Sequence, residues 1–437
     1  MKKRNPLLAL LLPAMLLAGA AGCATAAAAP TGGASPNPYE SPAFASAGAA
    51  NLMEGIPSGG AAGKPADTAF IASMADFSVE LFKKSAADKE SSLVSPLSVM
   101  LALSMTANGA DNETRAQMEG LLGGGIPLAD LNEYLCRYLK ELPCEEKARL
   151  TIANSIWLRD DDARLRVEPG FLQKNADYYN AAAYKSAFDP DTLDEINAWV
   201  NANTDGMIDK ILDEINPDAV IYLINAIVFD AEWETAYNKN GIHEDIFTGI
   251  GGDRQNALFM YSEEHKYLDD GKASGFMKPY ANGHYSFAAL LPNEGLPIEA
   301  YIKTLTGTGL ANTIKNAEST LVDASMPKFG YEYEIRMNDA LIALGIPDAF
   351  DGDRADFNKM AASSYGNIYI GEVLHKTFIS VDELGTKAGA VTKVEMEDIG
   401  APEAKTVRLD RPFVFAIVEN VTGLPVFIGT VMTVPSP

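Results

Sequence analysis

"VDELGTKAGAVTKVEMEDIGAPEAKTVRLDRPFVF", Val381 to Phe415, begins like a strand, turns small, runs into acid and ends as a buried-type strand. From Thr386 onward one set of alternate residues is Thr386, Ala388, Ala390, Thr392, Val394 and Met396. The other set is Lys387, Gly389, Val391, Lys393, Glu395 and Glu397. Mostly small or apolar side chains on one face and mostly polar ones on the other is the period of two of a half-buried β-strand. Gly385 and Gly389 nevertheless weaken a strand, and the acidic run with Gly400 and Pro402 has the composition of an exposed loop. Strand alternation is thus written into a stretch composed like a loop.

Outward from this stretch the pattern is mixed. "DTAFIASMADFSVELFKK" places Ile71, Met74, Phe77 and Leu81 at helical spacing, which predicts an amphipathic helix. "DTLDEINAWVNANTDG" does the same with Leu193, Ile196, Trp199 and Val200 and is expected to stop at Gly206. "AVIYLINAIVF", Ala219 to Phe229, is apolar on both faces, β-branched and short, as a central strand is. "RPFVFAIVENVTGLPVFIGTV" reads as two buried strands joined by a turn at Asn420 to Gly423. Helices come first and strands dominate the C-terminal half, with no βαβ alternation and no internal repeat. The expectation is one α+β domain over residues 67–437.

Composition sets the function classes aside. A chain of 437 residues with 47% hydrophobic content can bury a large core. Its formal charge of −24 repels phosphate backbones, so nucleic acid is not expected as a partner. No G-x-S-x-G, H-E-x-x-H or C-x-x-C occurs, and "GGAAGKP" at Gly59 to Pro65 lacks the first Gly and the Ser or Thr of a phosphate loop. His243, His265, His284 and His375 are scattered, so neither a metal site nor a cofactor is expected.

The N-terminus reads as an address. Lys2, Lys3 and Arg4 precede an apolar run from Leu7 to Ala21, short for a membrane span and followed by small residues, as in a secretory signal. The run ends in "LLAGAAGC", which resembles a bacterial lipobox whose cysteine, here Cys23, becomes the lipidated first residue. Ala20 stands where that pattern prefers Leu, so plain cleavage without lipid is the alternative. The expected division is a signal peptide over 1–22 and a flexible tether of Ala, Gly, Pro and Ser over 23–66. The expected location is extracytoplasmic, anchored to a bacterial membrane or secreted. Cys136 and Cys144, eight residues apart, would stand about 12 Å apart on one straight helix, beyond disulfide reach. That spacing favours free thiols, although Pro143 can bend the chain enough to let them pair.

Taken in order, several segments resemble the serpins. "SPLSVMLALSMTANGADNETRAQM" resembles the family's second helix with its shutter serines, here Ser95 and Ser98. "INAWVNANTDGMIDKIL" resembles the helix that covers the main sheet, and "LINAIVFDAEW" the strand that carries shutter Asn225 and breach Trp233. "MPKFGYEYEIRMNDALIALGIPDAF", "LHKTFISVDELGTKAGA" and "LDRPFVFAIVENVTGLPVFIGTV" match further signatures, so the resemblance spans Asp67 to Pro435. It implies three β-sheets surrounded by about nine helices, with an exposed reactive-centre loop. His375 then resembles the shutter histidine whose ring bonds an Asn such as Asn225. These residues are gates rather than reagents, and no residue is expected to be catalytic.

The resemblance also explains the double composition. In inhibitory serpins the segment after the hinge glutamate, here Glu383, is exposed bait that becomes a central strand of the main sheet once a protease cuts it. Gly385, Thr386, Ala388, Ala390 and Thr392 would form that hinge, with the small residues facing inwards. The implied function is a monomeric suicide-substrate inhibitor of serine or cysteine proteases that forms a covalent complex with its target. The alternative is a non-inhibitory serpin-like binding protein or chaperone. Counting roughly sixteen residues on from Glu383 places the reactive bond at Ile399 and Gly400, while counting back from Pro412 reaches Ala401. Met396 is a weaker candidate. No Lys or Arg lies at the apex, which points to an elastase-like or subtilisin-like target.

Overall fold

The computed structural model describes residues 48–434 except 59, 88, 144–146, 162–164, 217–218, 282, 365 and 387–403. The main sheet is built, in chain order, from β1 (Ala50–Asn51), β2 (Ala148–Arg159), β3 (Ala182–Ser186), β4 (Ile221–Glu232), β5 (Phe329–Arg336), β6 (Val373–Val381) and β7 (Gly385–Thr386). Their spatial order is β1-β3-β2-β4-β7-β6-β5. A nine-stranded sheet carries the C-terminal hairpin Phe413–Glu419 and Pro425–Val431, and Leu165–Val167 pairs with Ala361–Ser363 as a third sheet. Three sheets and nine α-helices stand among the described residues, as the resemblance implies.

The local signals act as predicted. Asp67 accepts the Phe70 N–H and so caps the helix Thr68–Ser85, which buries Met74, Phe77 and Leu81 of the expected face together with Phe70, while Ile71 is only partly buried. The helix Pro190–Asn203 starts from a capping box between Asp189 and Thr192 and lays Ile196, Trp199 and Val200 over Trp157, Tyr184 and Tyr222. It ends at Asn203, and Gly206, at φ 74°, turns the chain away. β4 is buried along nearly its whole length because both faces are covered, which is why its sequence shows no alternation.

Of the segment expected to be all tether, 23–66, the described residues from 48 onward pack on the domain. β1 pairs antiparallel with β3, and Leu52 N–H donates to the Ala183 carbonyl at 2.8 Å. Leu52, Met53 and Ile56 lie against the main core. Lys64 N–H donates to the Glu133 carbonyl, and Lys64 also pairs with Asp130. The three apolar residues in an otherwise small, polar stretch explain the docking: each is partly buried, and full burial of such a side chain would be worth about 1.5–3 kcal/mol.

Candidate functional site: the hinge and the slot beside it

Where β6 ends, the chain reverses at once. The Asp382 carboxylate accepts the N–H groups of Leu384 (2.8 Å) and Gly385 (3.2 Å), and Asp382 N–H donates to the Gly385 carbonyl. An aspartate that binds its own backbone two and three residues on is a turn former by mechanism. Trp233, just beyond β4, holds this turn from one side. Its backbone N–H donates to the Leu384 carbonyl, and its indole Nε1 donates to the Asp382 carbonyl at 2.9 Å. Tyr237 N–H reaches the Glu383 carbonyl.

Charge closes the turn. Glu383 pairs with Lys328, which precedes β5, with about a quarter of each side chain exposed. Burial pushes the Glu383 carboxyl up, but the Lys328 hydrogen bond, aided by a backbone N–H, outweighs it and holds the group below its ordinary value. Beneath Trp233, Lys278 forms a buried ion pair with Glu264 at 2.7 Å and stands 4.3 Å from the centre of the Tyr237 ring. Removing one partner of such a pair would leave the other charge buried and unpaired, at a cost of about 3–5 kcal/mol.

Past the turn, β7 lies between β6 and β4. Gly385 stands opposite Glu232, and Thr386 lies between Ala231 on one side and Val381 on the other. A Cβ on Gly385 would lie 2.0 Å from the Ala231 carbonyl oxygen, so only glycine allows this approach. Thr386 is 2% exposed. The loop's first residues are thus already a rung of the sheet.

Further down the same pair of strands, β6 and β4 join directly. Val373–Lys376 pair in parallel with Leu223–Ala226. Between that ladder and β7, Thr377–Ser380 of β6 bond outward to β5, and Ile227–Asp230 of β4 bond outward to β2. Among the described residues no rung joins these two stretches to each other. A slot of four residues therefore lies in line with β7.

A buried polar cluster sits where the ladder begins. Ser95, the cap of helix Pro96–Ala107, accepts the Ser98 N–H and donates its hydroxyl to the Val426 carbonyl at 2.8 Å. Ser98 donates its hydroxyl to Asn225 Oδ1, and Asn225 Nδ2 donates to the Ser98 carbonyl and to Asn154 Oδ1. His375, paired with Asn225 in the parallel ladder, does not bond it as expected from the sequence: its Nε2 accepts the Ser95 backbone N–H at 3.0 Å. The reason is competition. Asn225 is already engaged by Ser98 and Asn154, whereas the helix start leaves the Ser95 N–H without an intrahelical acceptor. Accepting at Nε2 places the proton of the neutral ring on Nδ1, which has no partner among the described residues. Burial drives the His375 pKa down to about 3.

The structure thus gathers Glu383, Gly385, Thr386 and Trp233 at one end of the slot and Ser95, Ser98, Asn225 and His375 at the other. Neither group has a nucleophile aligned on a base, since the Ser95 hydroxyl is spent on a carbonyl. Ala388, Ala390, Thr392, Met396, Ile399, Gly400, Cys23 and Cys144 lie outside the described residues. Cys136 is a buried free thiol that donates to the Ala61 carbonyl at 3.5 Å. No group of three or more potential metal ligands occurs among the described residues. Sequence reading missed Asp382, Lys328, Lys278 and Tyr280. Lys328 stands inside the quoted motif "MPKFG", but nothing local ties it to a glutamate 55 residues away.

A mixed α+β protein with a loop threaded into the edge of such a slot defines a class. The family described as Serpin (serine protease inhibitor) matches residues 72–434. Serpin-Z7 of Hordeum vulgare is 30% identical over 383 residues, which cover 83% of this chain and 95% of that protein. The solved structure of a thermophilic serpin, tengpin, in the native state is similar at TM-score 0.86 and 58% identity, covering 89% of this chain and all of that one. Tengpin in the latent state is similar at TM-score 0.77, again at 58% identity, covering 85% of this chain and 100% of that one. The chain belongs to the serpin family, whose members are in general protease inhibitors and not enzymes.

Proposed function

We propose that this chain is a suicide-substrate inhibitor of serine or cysteine proteases that traps its target by drawing the cut loop into the slot between β4 and β6. The observation that carries this reading is β7: the loop starts as a rung at the open end of the slot, and the alternation continues beyond it with Ala388, Ala390 and Thr392. The greater similarity to tengpin in its native state than in its latent state supports this reading. If roughly ten to fifteen residues gain net hydrogen bonds of about 1 kcal/mol each, insertion releases on the order of 10 kcal/mol. That equals the whole stability of an ordinary domain, about 5–15 kcal/mol. An acyl-enzyme tethered to the moving loop would be dragged and its active site distorted.

The target we infer is elastase-like or subtilisin-like, cut at Ile399–Gly400. Cys23 would hold a monomeric inhibitor on the outer face of a bacterial membrane. The experiment is incubation with a broad panel of serine proteases followed by boiling in detergent. A covalent complex is expected, and base should release from it a C-terminal fragment starting at Gly400. Cleavage without complex across the panel would sink the inhibitor reading in favour of a non-inhibitory binder. Phase partitioning of wild type and Cys23→Ser in a bacterial host tests the anchor: both in the aqueous phase means no lipid.

A further inference from the structure

Thr386 enters the slot as a polar side chain, and the interior supplies its partner. Tyr280 follows the strand Ala273–Pro279 of the nine-stranded sheet and is fully buried. Its hydroxyl lies 2.6 Å from Thr386 Oγ1, in a bond where either atom can donate. The ring cannot drift, because it stacks on Trp233 at 4.5 Å and 13° and meets Phe229 edge-on at 4.9 Å. A backbone bridge between Trp233 and Tyr280 fixes the pair further. Burial pushes the phenol well above its ordinary pKa, so it remains protonated and uncharged.

We propose that Tyr280 is a positioning residue: its hydroxyl holds Thr386 in the slot and so sets how far the loop is inserted before any protease arrives. This rests on the inhibitor reading for its consequence, though not for its test. Seated, Thr386 and Tyr280 satisfy each other; expelled, both meet water. Removing one hydroxyl leaves the other buried without a partner whenever the hinge is seated, which penalises the seated state alone. After acylation a seated hinge has its first rung formed, whereas an expelled one must nucleate insertion while hydrolysis of the acyl bond competes. Tyr280 would therefore bias the outcome toward trapping. It explains why a hydroxyl-bearing residue, rather than alanine, leads the inward-facing series.

The test compares Tyr280→Phe, which keeps the stacked ring, Thr386→Val, which keeps the shape, and the double variant. Amide hydrogen exchange of the hinge segment 381–386 is read on the intact protein with no protease present. A bond of ordinary strength predicts that each single variant exchanges about fivefold faster at the hinge while β5 and the helix Pro96–Ala107 are unchanged. The double variant should exchange no faster than the singles, since replacing both partners by apolar groups removes the unsatisfied hydroxyl. With a protease that wild type traps, the same variants should yield more cleaved inhibitor per complex. Wild-type exchange in either single variant, multiplying effects in the double, or faster exchange with an unchanged yield of complex would each overturn the assignment. If wild type traps no protease, the inhibitor reading fails by itself, and exchange still decides whether Tyr280 holds the hinge.

Discussion

The two ends of the loop are held by different physics. At its start, β7 is an interior strand two residues long, with Thr386 buried and Gly385 pressed against the backbone of β4. At its end, Lys405–Arg408 is an edge strand that forms four parallel rungs with Glu318–Pro327 and keeps every side chain but Val407 exposed. Side-chain attachments there lie on the surface: Lys405 over the Tyr267 ring at 5.3 Å, Arg408 over Tyr261 at 5.9 Å, and a half-exposed pair of Arg408 with Asp323 at 3.6 Å. A buried end registers even small changes of volume or charge. An exposed end is adjustable and sensitive to salt.

Four measurements test this contrast. The largest effect is expected at the closed end of the slot, through His375. Its pKa is about 3 in the folded chain and near 6.5 unfolded, so between those values only the unfolded chain takes up the proton. Stability is therefore complete above about pH 6.5 and falls as pH drops toward 3, by about 4–5 kcal/mol in all. Urea midpoints measured across that range check it, and His375→Gln should flatten the dependence; a wild-type midpoint unchanged down to pH 4 contradicts it.

Next in size is Thr386→Arg. An unpaired charge in that buried place costs about 3–5 kcal/mol, so the hinge is expelled and insertion stalls. The variant should be a cleaved substrate where wild type forms a detergent-stable complex, read as the fraction of protease captured. Gly385→Ala follows at about 1–3 kcal/mol, because its methyl must displace the Ala231 carbonyl. Limited proteolysis of the hinge should become faster while the thermal midpoint of the rest of the domain barely moves; unchanged proteolysis would mean that β7 is not seated in solution. Smallest are Lys405→Ala and Arg408→Ala, each expected to cost under about 1 kcal/mol at low salt and nothing measurable at high salt. Were either to match Gly385→Ala, the edge would be as firmly built as the interior and the contrast would fail.

The sequence carried a good part of this contrast. Alternation from Thr386 is visible because β-period is a local property, and the small inward residues follow from what a strand between strands can accommodate. Ser95, Ser98, Asn225 and His375 were legible as one group only through ordered resemblance. Their partners were not: His375 takes the Ser95 N–H because Asn225 is saturated by Ser98 and Asn154. The docking of residues 48–66 was hidden by a composition of Ala, Gly, Pro and Ser, in which Leu52, Met53 and Ile56 are too few to form a periodic pattern.

The elements follow from local signals in the chain: the helix around Phe70 to Leu81, the doubly buried strand at Leu223 to Phe229, and a loop with the grammar of a strand. Periodicity, caps and turn residues act over a few positions, and those are written in order along the chain. The tertiary structure alone shows that Thr386 meets Tyr280 across 106 positions, that Glu383 meets Lys328, and that no described rung joins Thr377–Ser380 of β6 to Ile227–Asp230 of β4. Those contacts depend on which strands become neighbours, and neighbourhood in a sheet is settled by the packing of the whole core rather than by any segment within it.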